Sequence, residues 1–199
     1  MRREITDTKK VNRKVLYTKK LIRDAFLELL KNKSFEKITV TEITGLADIN
    51  RSTFYSHYDN CMDLIKEIEV EFAQEIIGII DKPAYDENYS ANVINLFFDT
   101  LTENKELSVW FMDDHVTGIG KQMIFDHISK RFTKLWEDKH KLSDDEYQYF
   151  LQYFLQFLYN GALGFLSEWY RNDFSGDKEK MKKLFKKLTD TTLELVKER

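Results

Sequence analysis

Proline is almost missing from this chain. One proline, Pro83, and seven glycines serve 199 residues, so the turn chemistry of an all-β fold is nearly absent. Cysteine occurs once, at Cys61, which excludes an intrachain disulfide and gives no support to secretion. Long apolar runs are missing too. The most apolar stretch, Phe150 to Leu166, is interrupted by Gln152, Gln156 and Asn160 and is shorter than the roughly 20 residues of a membrane span. No apolar segment follows the opening Met1-Arg2-Arg3-Glu4, so no signal peptide is expected. Helix formers dominate what remains, and aromatics make up 14%. An all-α, cytoplasmic protein with no membrane partner is expected.

Charge is unevenly placed. Residues 1–60 hold 13 Lys/Arg against 8 Asp/Glu, a net of +5, and residues 61–199 hold 18 against 26, a net of −8. A basic head on an acidic body suggests that one end meets a polyanion, although a bias of this size also arises by chance.

Periodicity predicts about nine helices. Leu21, Ile22, Ala25, Phe26, Leu29 and Leu30 form one apolar stripe in a helix over Tyr17–Asn32. The segment before it, with Lys9, Lys10, Arg13 and Lys14, fits either a solvated tail or an arm that tracks a nucleic-acid backbone. Thr39-Val40-Thr41-Glu42 has the spacing of a capping box, and a short helix follows with Ile43, Leu46 and Ala47 inward. Asp48-Ile49-Asn50 breaks it, and Asn50 is placed to cap a second short helix, Arg51–Tyr58. Longer helices are expected over Cys61–Ile80, Tyr89–Thr102, Lys105–His115, Ile119–His140, Ser143–Arg171 and Asp177–Lys197. A capping box, Ser143-Asp144-Asp145-Glu146, opens the fifth of these, and Lys82-Pro83 closes the first.

Two short helices behind a longer one suit a helix-turn-helix, whose second helix enters the DNA major groove. On Arg51–Tyr58, Phe54 and Tyr58 share the inner side. Ser52, Thr53, Tyr55 and Ser56 share the outer one and carry hydroxyls that can donate to phosphates or base edges. His57 flanks them. A helical hairpin that is merely polar outside fits the same spacing.

The run Ile38-Thr39-Val40-Thr41-Glu42-Ile43, with Ala47-Asp48-Ile49-Asn50-Arg51-Ser52-Thr53-Phe54-Tyr55-Ser56-His57-Tyr58, strongly resembles the DNA-binding head of the TetR/AcrR family of transcriptional regulators. The resemblance reaches back through the Tyr17–Asn32 helix and forward to Leu64. It implies a helix-turn-helix domain over 1–60 and a helical ligand-binding and dimerisation domain over 61–199. It further implies that Arg51, Ser52, Thr53 and Ser56 lie near bases, that Tyr55 and His57 hold phosphates, and that Thr41 adds a phosphate contact. Lys19 is included among the DNA-binding residues. Cys61 departs from the pattern, since members often carry a lysine there. A thiol cannot neutralise a phosphate. Cys61 is read either as a structural cysteine or as a redox sensor at a helix start.

The resemblance implies a homodimer that binds a roughly palindromic double-stranded DNA operator as a repressor and is released by a small apolar or aromatic ligand. The body's aromatics and one histidine supply the expected pocket: Trp110, Phe111, His115, Phe125, Phe132, Trp136, Phe150, Phe154 and Phe157. Apolar residues run almost all round the helix at 150–169, so a second surface must cover it. Leu158, Gly161, Phe165, Leu184 and Leu188 are the expected dimer contacts. Gly161-Ala162-Leu163-Gly164, Trp169 and Asn172-Asp173-Phe174-Ser175 also resemble a subgroup that includes coactivators working through a protein partner. A DNA-tethered coactivator or protein-interaction module is therefore the alternative function.

Other motifs lead nowhere. Glu137-Asp138-Lys139-His140 is one Glu-x-x-His element where a di-iron bundle needs two. Asp113-Asp114-His115 diverge around a helix, and Gly118-Ile119-Gly120-Lys121 lacks a phosphate-loop spacing. The basic run Lys178 to Lys187, with Met181, Leu184, Phe185 and Leu188 at helical spacing, reads as a terminal helix with lysines in water rather than a membrane-surface helix. No metal, cofactor or catalytic site is expected.

Overall fold

The computed structural model of the chain describes residues 2–81, 89–112, 117–140, 145–172 and 174–197, with side chains described for 13–81, 94–112, 117–131, 133–134, 152–172 and 174–192. Nine α-helices and one 3₁₀ turn account for these residues: α1 Arg2–Leu30, a 3₁₀ turn Phe35–Lys37, α2 Val40–Leu46, α3 Arg51–Tyr55, α4 Cys61–Ile80, α5 Tyr89–Glu103, α6 Lys105–Met112, α7 Ile119–His140, α8 Asp145–Arg171 and α9 Lys178–Lys197. The all-α expectation is met. The Ser143 capping box, the Lys82-Pro83 stop and Asp113-Asp114-His115 lie outside the described residues.

The chain divides into two compact units, Met1–Ile68 and Glu69–Arg199, and the division falls within α4. The expected boundary between Asn60 and Cys61 falls instead at the start of that helix.

In the first unit, Ile22, Ala25 and Phe26 of α1 are buried, as the three- and four-residue spacing requires, with Ile38, Ile43, Ala47, Phe54, Tyr58, Leu64, Ile65 and Ile68. Helix α1 begins fifteen residues before the expected Tyr17, at Arg2, so the basic arm continues the helix. No Gly or Pro interrupts residues 2–16, and helix propagates where nothing breaks it. The reader helix is shorter than expected, ending at Tyr55, with Ser56 as its C-cap.

Local hydrogen bonds explain the turns. Thr39 Oγ1 accepts from the Glu42 amide at 3.3 Å and Glu42 Oε2 accepts from the Thr39 amide at 3.0 Å, which forms the reciprocal capping box. Asn50 stands at the N-cap of α3 but its side chain makes no capping bond. Its carbonyl instead accepts from the amides of Thr53 at 2.9 Å and Phe54 at 3.3 Å. Asn60 caps α4 as expected, accepting from the Asp63 amide at 3.2 Å. Asp48 adopts φ 50° in the break after α2, a left-handed conformation that Asp tolerates. Leu46, expected inward, is 52% exposed.

Glu42 also pairs with Lys33. That contact first, and then the hydroxyl and amide of Thr39, holds its carboxyl at about 2 instead of the usual 4.5. A lowered carboxyl contributes stability above its unfolded value and loses it as pH falls through the folded one. Glu42→Gln is therefore expected to be less stable at neutral pH. Urea titrations should show the gap to the wild-type chain closing between pH 4.5 and about 2.

The second unit packs α5 through α9 in five neighbouring pairs: α5 with α6 and α9, α8 with α6, α7 and α9. Its core includes Phe72, Phe98, Leu101, Leu107, Trp110, Phe111, Leu166 and Trp169. Phe98 meets Trp169 at 5.1 Å and Phe185 at 5.5 Å between ring centroids, separations at which aromatic pairs attract beyond simple burial. Gly120 lets α7 approach α4 and α6, since a Cβ there would lie 2.5 Å from Phe111 Cε2 and 2.8 Å from the Glu69 carbonyl oxygen. Glu69 is 1% exposed and accepts from Thr117 Oγ1 and, at 3.3 Å, from the Gly120 amide. An acceptor there complements the unsatisfied amides that begin α7. Sequence patterning gave no sign of this carboxylate. The lysines of α9 are not all in water: Lys178 and Lys182 reach Asp99 of α5 at 2.7 and 3.3 Å, and Lys182 is buried.

Candidate nucleic-acid interface

Helix α3 is oriented from within. Phe54 is fully buried and Tyr58 nearly so, with ring centroids 5.5 Å apart. Because the two stand four residues apart, their burial turns the opposite side outward. Arg51, Ser52, Tyr55 and Ser56 are exposed, Thr53 and His57 are half-buried, and Thr41 is exposed in the first turn of α2. The expected contacts other than Lys19 thus lie on α2, on α3 or in the turn that follows it. Tyr55 sets its ring edge against Phe54 at 5.7 Å and remains 48% exposed. Ser56 Oγ donates to the Thr53 carbonyl at 2.7 Å, so its oxygen is left to accept from a base or a water.

Lys19 is placed differently. It is half-buried, its Nζ lies 2.6 Å from Glu67 Oε2, and it sits 5.2 Å from the centre of the Tyr58 ring. Lys20 pairs with Asp24 and Lys31 with Glu28. Lys66 lies 3.7 Å from Asp63. Arg13, Lys14, Lys37 and Arg51 are exposed. Several of the unit's lysines are therefore paired with carboxylates of the same unit, and α3 itself carries one cation, Arg51.

The surroundings of Cys61 favour the structural reading. Its thiol is half-buried, lies 3.9 Å from the Ile38 carbonyl as a donor, and is pushed up in pKa by burial. A reactive cysteine needs the opposite shift.

The body holds a cavity of about 190 Å³ whose wall presents no polar atom. Phe72 and Ile76 of α4, Phe97 and Leu101 of α5, Phe111 and Met112 of α6, Ile124 of α7, Leu163 and Leu166 of α8 and Phe185 of α9 contribute to it. Tyr159 also lines it, but its hydroxyl donates to the Lys121 carbonyl at 2.6 Å, and burial raises its pKa. Of the expected pocket residues, Phe111 lines this cavity. Trp110 is buried beside it in sequence without being part of the wall, Phe125 packs on Tyr159 at 5.2 Å, and Phe154 is half-buried elsewhere on α8. His115 and the side chains of Phe132, Trp136 and Phe150 lie outside the described residues. Sequence reasoning chose other aromatics and passed over Phe72, Phe97 and Phe185 together with the aliphatic part of the wall, for which helical periodicity gives only a buried face.

A second groove of about 180 Å³ runs between α8 and α9, lined by Phe157, Leu158, Gly161, Phe165, Leu188 and Thr192 among others. Four of the five expected dimer contacts line it, and the fifth, Leu184, is 46% exposed. Phe157 is 70% exposed, Tyr153 59% and Leu188 51%, an unusual concentration of exposed apolar side chains on two helices. Among the described residues no group of three or more His, Cys, Asp or Glu could hold a metal ion, and no helix is long and apolar enough to cross a membrane.

Comparisons with known proteins give a consistent answer. Residues 88–191 match the family model TetR_C_8, a transcriptional regulator C-terminal region. A TetR transcriptional regulator from Streptococcus agalactiae 2603V has the same fold, with a TM-score of 0.63 at 21% identity over 92% of this chain and 98% of that one. The HTH-type transcriptional regulator YxbF of Bacillus subtilis is 36% identical over 70 residues, 35% of this chain. The dhaKLM operon transcriptional activator DhaS of Lactococcus lactis is 35% identical over 65 residues, 32% of this chain. These two matches span 18% and 35% of the relatives' own lengths.

Proposed function

The chain belongs to the TetR family of transcriptional regulators, and from that premise we propose that it is a homodimeric repressor that binds a roughly palindromic duplex operator through residues 1–60. The observation that carries this reading is the outer face of α3, where hydroxyls surround a single arginine over a fully buried Phe54. Such a face suits a few base contacts and several phosphate contacts. Dimerisation through α8 and α9 would set two heads on successive major-groove half-sites about 34–36 Å apart. Release follows when a small apolar ligand fills the body cavity, whose wall offers no hydrogen bond to a polar one.

DNA selected from a random pool by the purified chain tests the reading. A palindromic consensus is expected. Affinity should fall with salt at a log–log slope of roughly −5 to −7, if a dimer neutralises about 6–8 phosphates. Tyr55→Ala should weaken selected and unrelated sequences alike, by about threefold to tenfold, because a phosphate contact carries no sequence information. Small apolar compounds should release the selected DNA, and charged ones of the same size should not. Binding indifferent to both salt and sequence would defeat the proposal.

A second reading has one observation in its favour: a relative, DhaS of Lactococcus lactis, is an operon activator. On that reading the body would receive a protein partner while the head holds DNA. Stoichiometric co-purification of that partner, with no release by apolar compounds, would distinguish it.

A further inference from the structure

Three residues of the first unit, one from α1, one from α4 and one from the turn after α3, close into a small polar clasp behind the reader helix. Tyr58, three residues past the end of α3, donates its phenolic hydrogen to Glu67 Oε1 of α4 at 2.9 Å. The other carboxylate oxygen, Oε2, accepts from Lys19 Nζ of α1 at 2.6 Å. The ammonium also stands 5.2 Å from the centre of the Tyr58 ring, within range of a cation–π attraction. Each pairwise distance is short, and each carboxylate oxygen has a donor. Lys19 and Glu67 are about two-thirds buried, with side-chain exposures of 31% and 32%. Screening by water is therefore weaker than for a pair on open surface.

The clasp bears on α3 through a second contact. The Tyr58 ring packs on Phe54, the buried anchor of α3, at 5.5 Å between centroids. Burial of two rings fixes which side of α3 faces inward, but an apolar contact is not directional. A hydrogen bond to a held carboxylate is. We propose that Lys19 and Glu67 are positioning residues that set the angle of the reader helix through Tyr58, and that Lys19 contributes to DNA recognition from inside the fold instead of as a phosphate contact.

The inference rests on the DNA-binding reading above, and its consequences run against those of simple charge. Glu67→Gln removes a negative charge from the head, so electrostatics alone would tighten binding to a polyanion. Positioning requires weaker binding, because the neutral amide no longer holds the ammonium. Lys19→Met removes a positive charge. A phosphate-contacting lysine lost in this way lowers the salt slope by about 0.9 for each head, whereas a positioning lysine leaves the slope unchanged. Tyr58→Phe keeps the ring and removes only the hydrogen-bond donor.

The test measures affinity of the full chain and these three variants for the selected sequence and for unrelated DNA across a salt series, with thermal midpoints alongside. Each variant is expected to lose about tenfold on the selected sequence with little change on unrelated DNA and the wild-type slope. Tighter binding by Glu67→Gln would overturn the proposal. So would a reduced slope for Lys19→Met, or lowered midpoints with affinity intact. Amide exchange over residues 51–58 in the free chain separates this inference from the reading beneath it. If the wild-type chain selects no DNA, the DNA reading fails. The clasp then stands on faster exchange in all three variants at unchanged thermal midpoint, and falls if exchange is unchanged.

Discussion

Replacing Phe157 and Leu188 together by glutamate is expected to convert the proposed dimer into a monomer and to lower affinity for the selected operator by about a thousandfold. Phe157 is 70% exposed and Leu188 51% in the single chain, and both line the groove between α8 and α9. Exposed positions tolerate charge with little change in the fold of one chain, within about 0.5 kcal/mol. At a two-fold interface each substitution occurs twice, because the same patch meets its copy. Four unpaired carboxylates would then enter an apolar contact, and each costs several kcal/mol to desolvate. The effect on DNA follows from linkage of the two heads. Binding of the second half-site is intramolecular in a dimer, a gain of about 10²–10⁴ in overall affinity that the monomer forfeits. Half the phosphate contacts go with it, so the salt slope should fall to about half. Sedimentation of the double variant, followed by a salt titration on the selected operator, reads both quantities. A variant that stayed dimeric and bound as before would place the interface elsewhere.

What was legible in the sequence was mostly local. The capping box at Thr39 and Glu42 depends on atoms three residues apart, and both bonds form. The turn at Asp48 and the burial of Phe54 and Tyr58 follow from the same short-range rules. The resemblance to TetR/AcrR regulators, read from residues 38–58, is matched by a family model over residues 88–191. Distant pairings were not legible. Lys19 and Glu67 are 48 residues apart and meet at 2.6 Å, so a lysine counted among the DNA-binding residues is held by a carboxylate of the same unit. Glu69 and Gly120, 51 residues apart, meet just as invisibly. The start of α1 went astray for another reason. Apolar periodicity begins near Tyr17, but the helix persists upstream to Arg2, because polar residues continue a helix wherever Gly and Pro are absent. In the body, a helix that is apolar on most sides does not say which side lines a void. Aromatic content therefore pointed to Phe154 and Phe157, while Ile76, Leu101, Ile124 and Leu163 share the wall with Phe72, Phe97, Phe111 and Phe185.

Phe54→Ala is expected to abolish sequence-selective DNA binding by unfolding the site that reads it. Phe54 is fully buried and its ring touches those of Tyr55 and Tyr58 at 5.7 and 5.5 Å. Truncating a buried phenylalanine costs about 3–5 kcal/mol, the upper part of that range applying where the cavity cannot collapse. The first unit, Met1–Ile68, is small, and a unit of this size has only a few kcal/mol in hand. Helix α3 has five residues, too few to persist without tertiary contacts. Its only fully buried side chain is the one removed. Amide exchange across residues 38–68 should therefore approach unfolded rates, while core amides of α5, α6 and α8 stay protected. Phe54→Leu restores most of the buried volume, so it should recover protection and part of the affinity. It cannot restore the edge contact that orients Tyr55, a phosphate contact on the reading above, so the recovered binding should stay weaker than wild type on operator and unrelated DNA alike. Full affinity in Phe54→Ala would mean that α3 is held by something other than its buried ring, and the outward face of Ser52, Tyr55 and Ser56 would lose its physical basis.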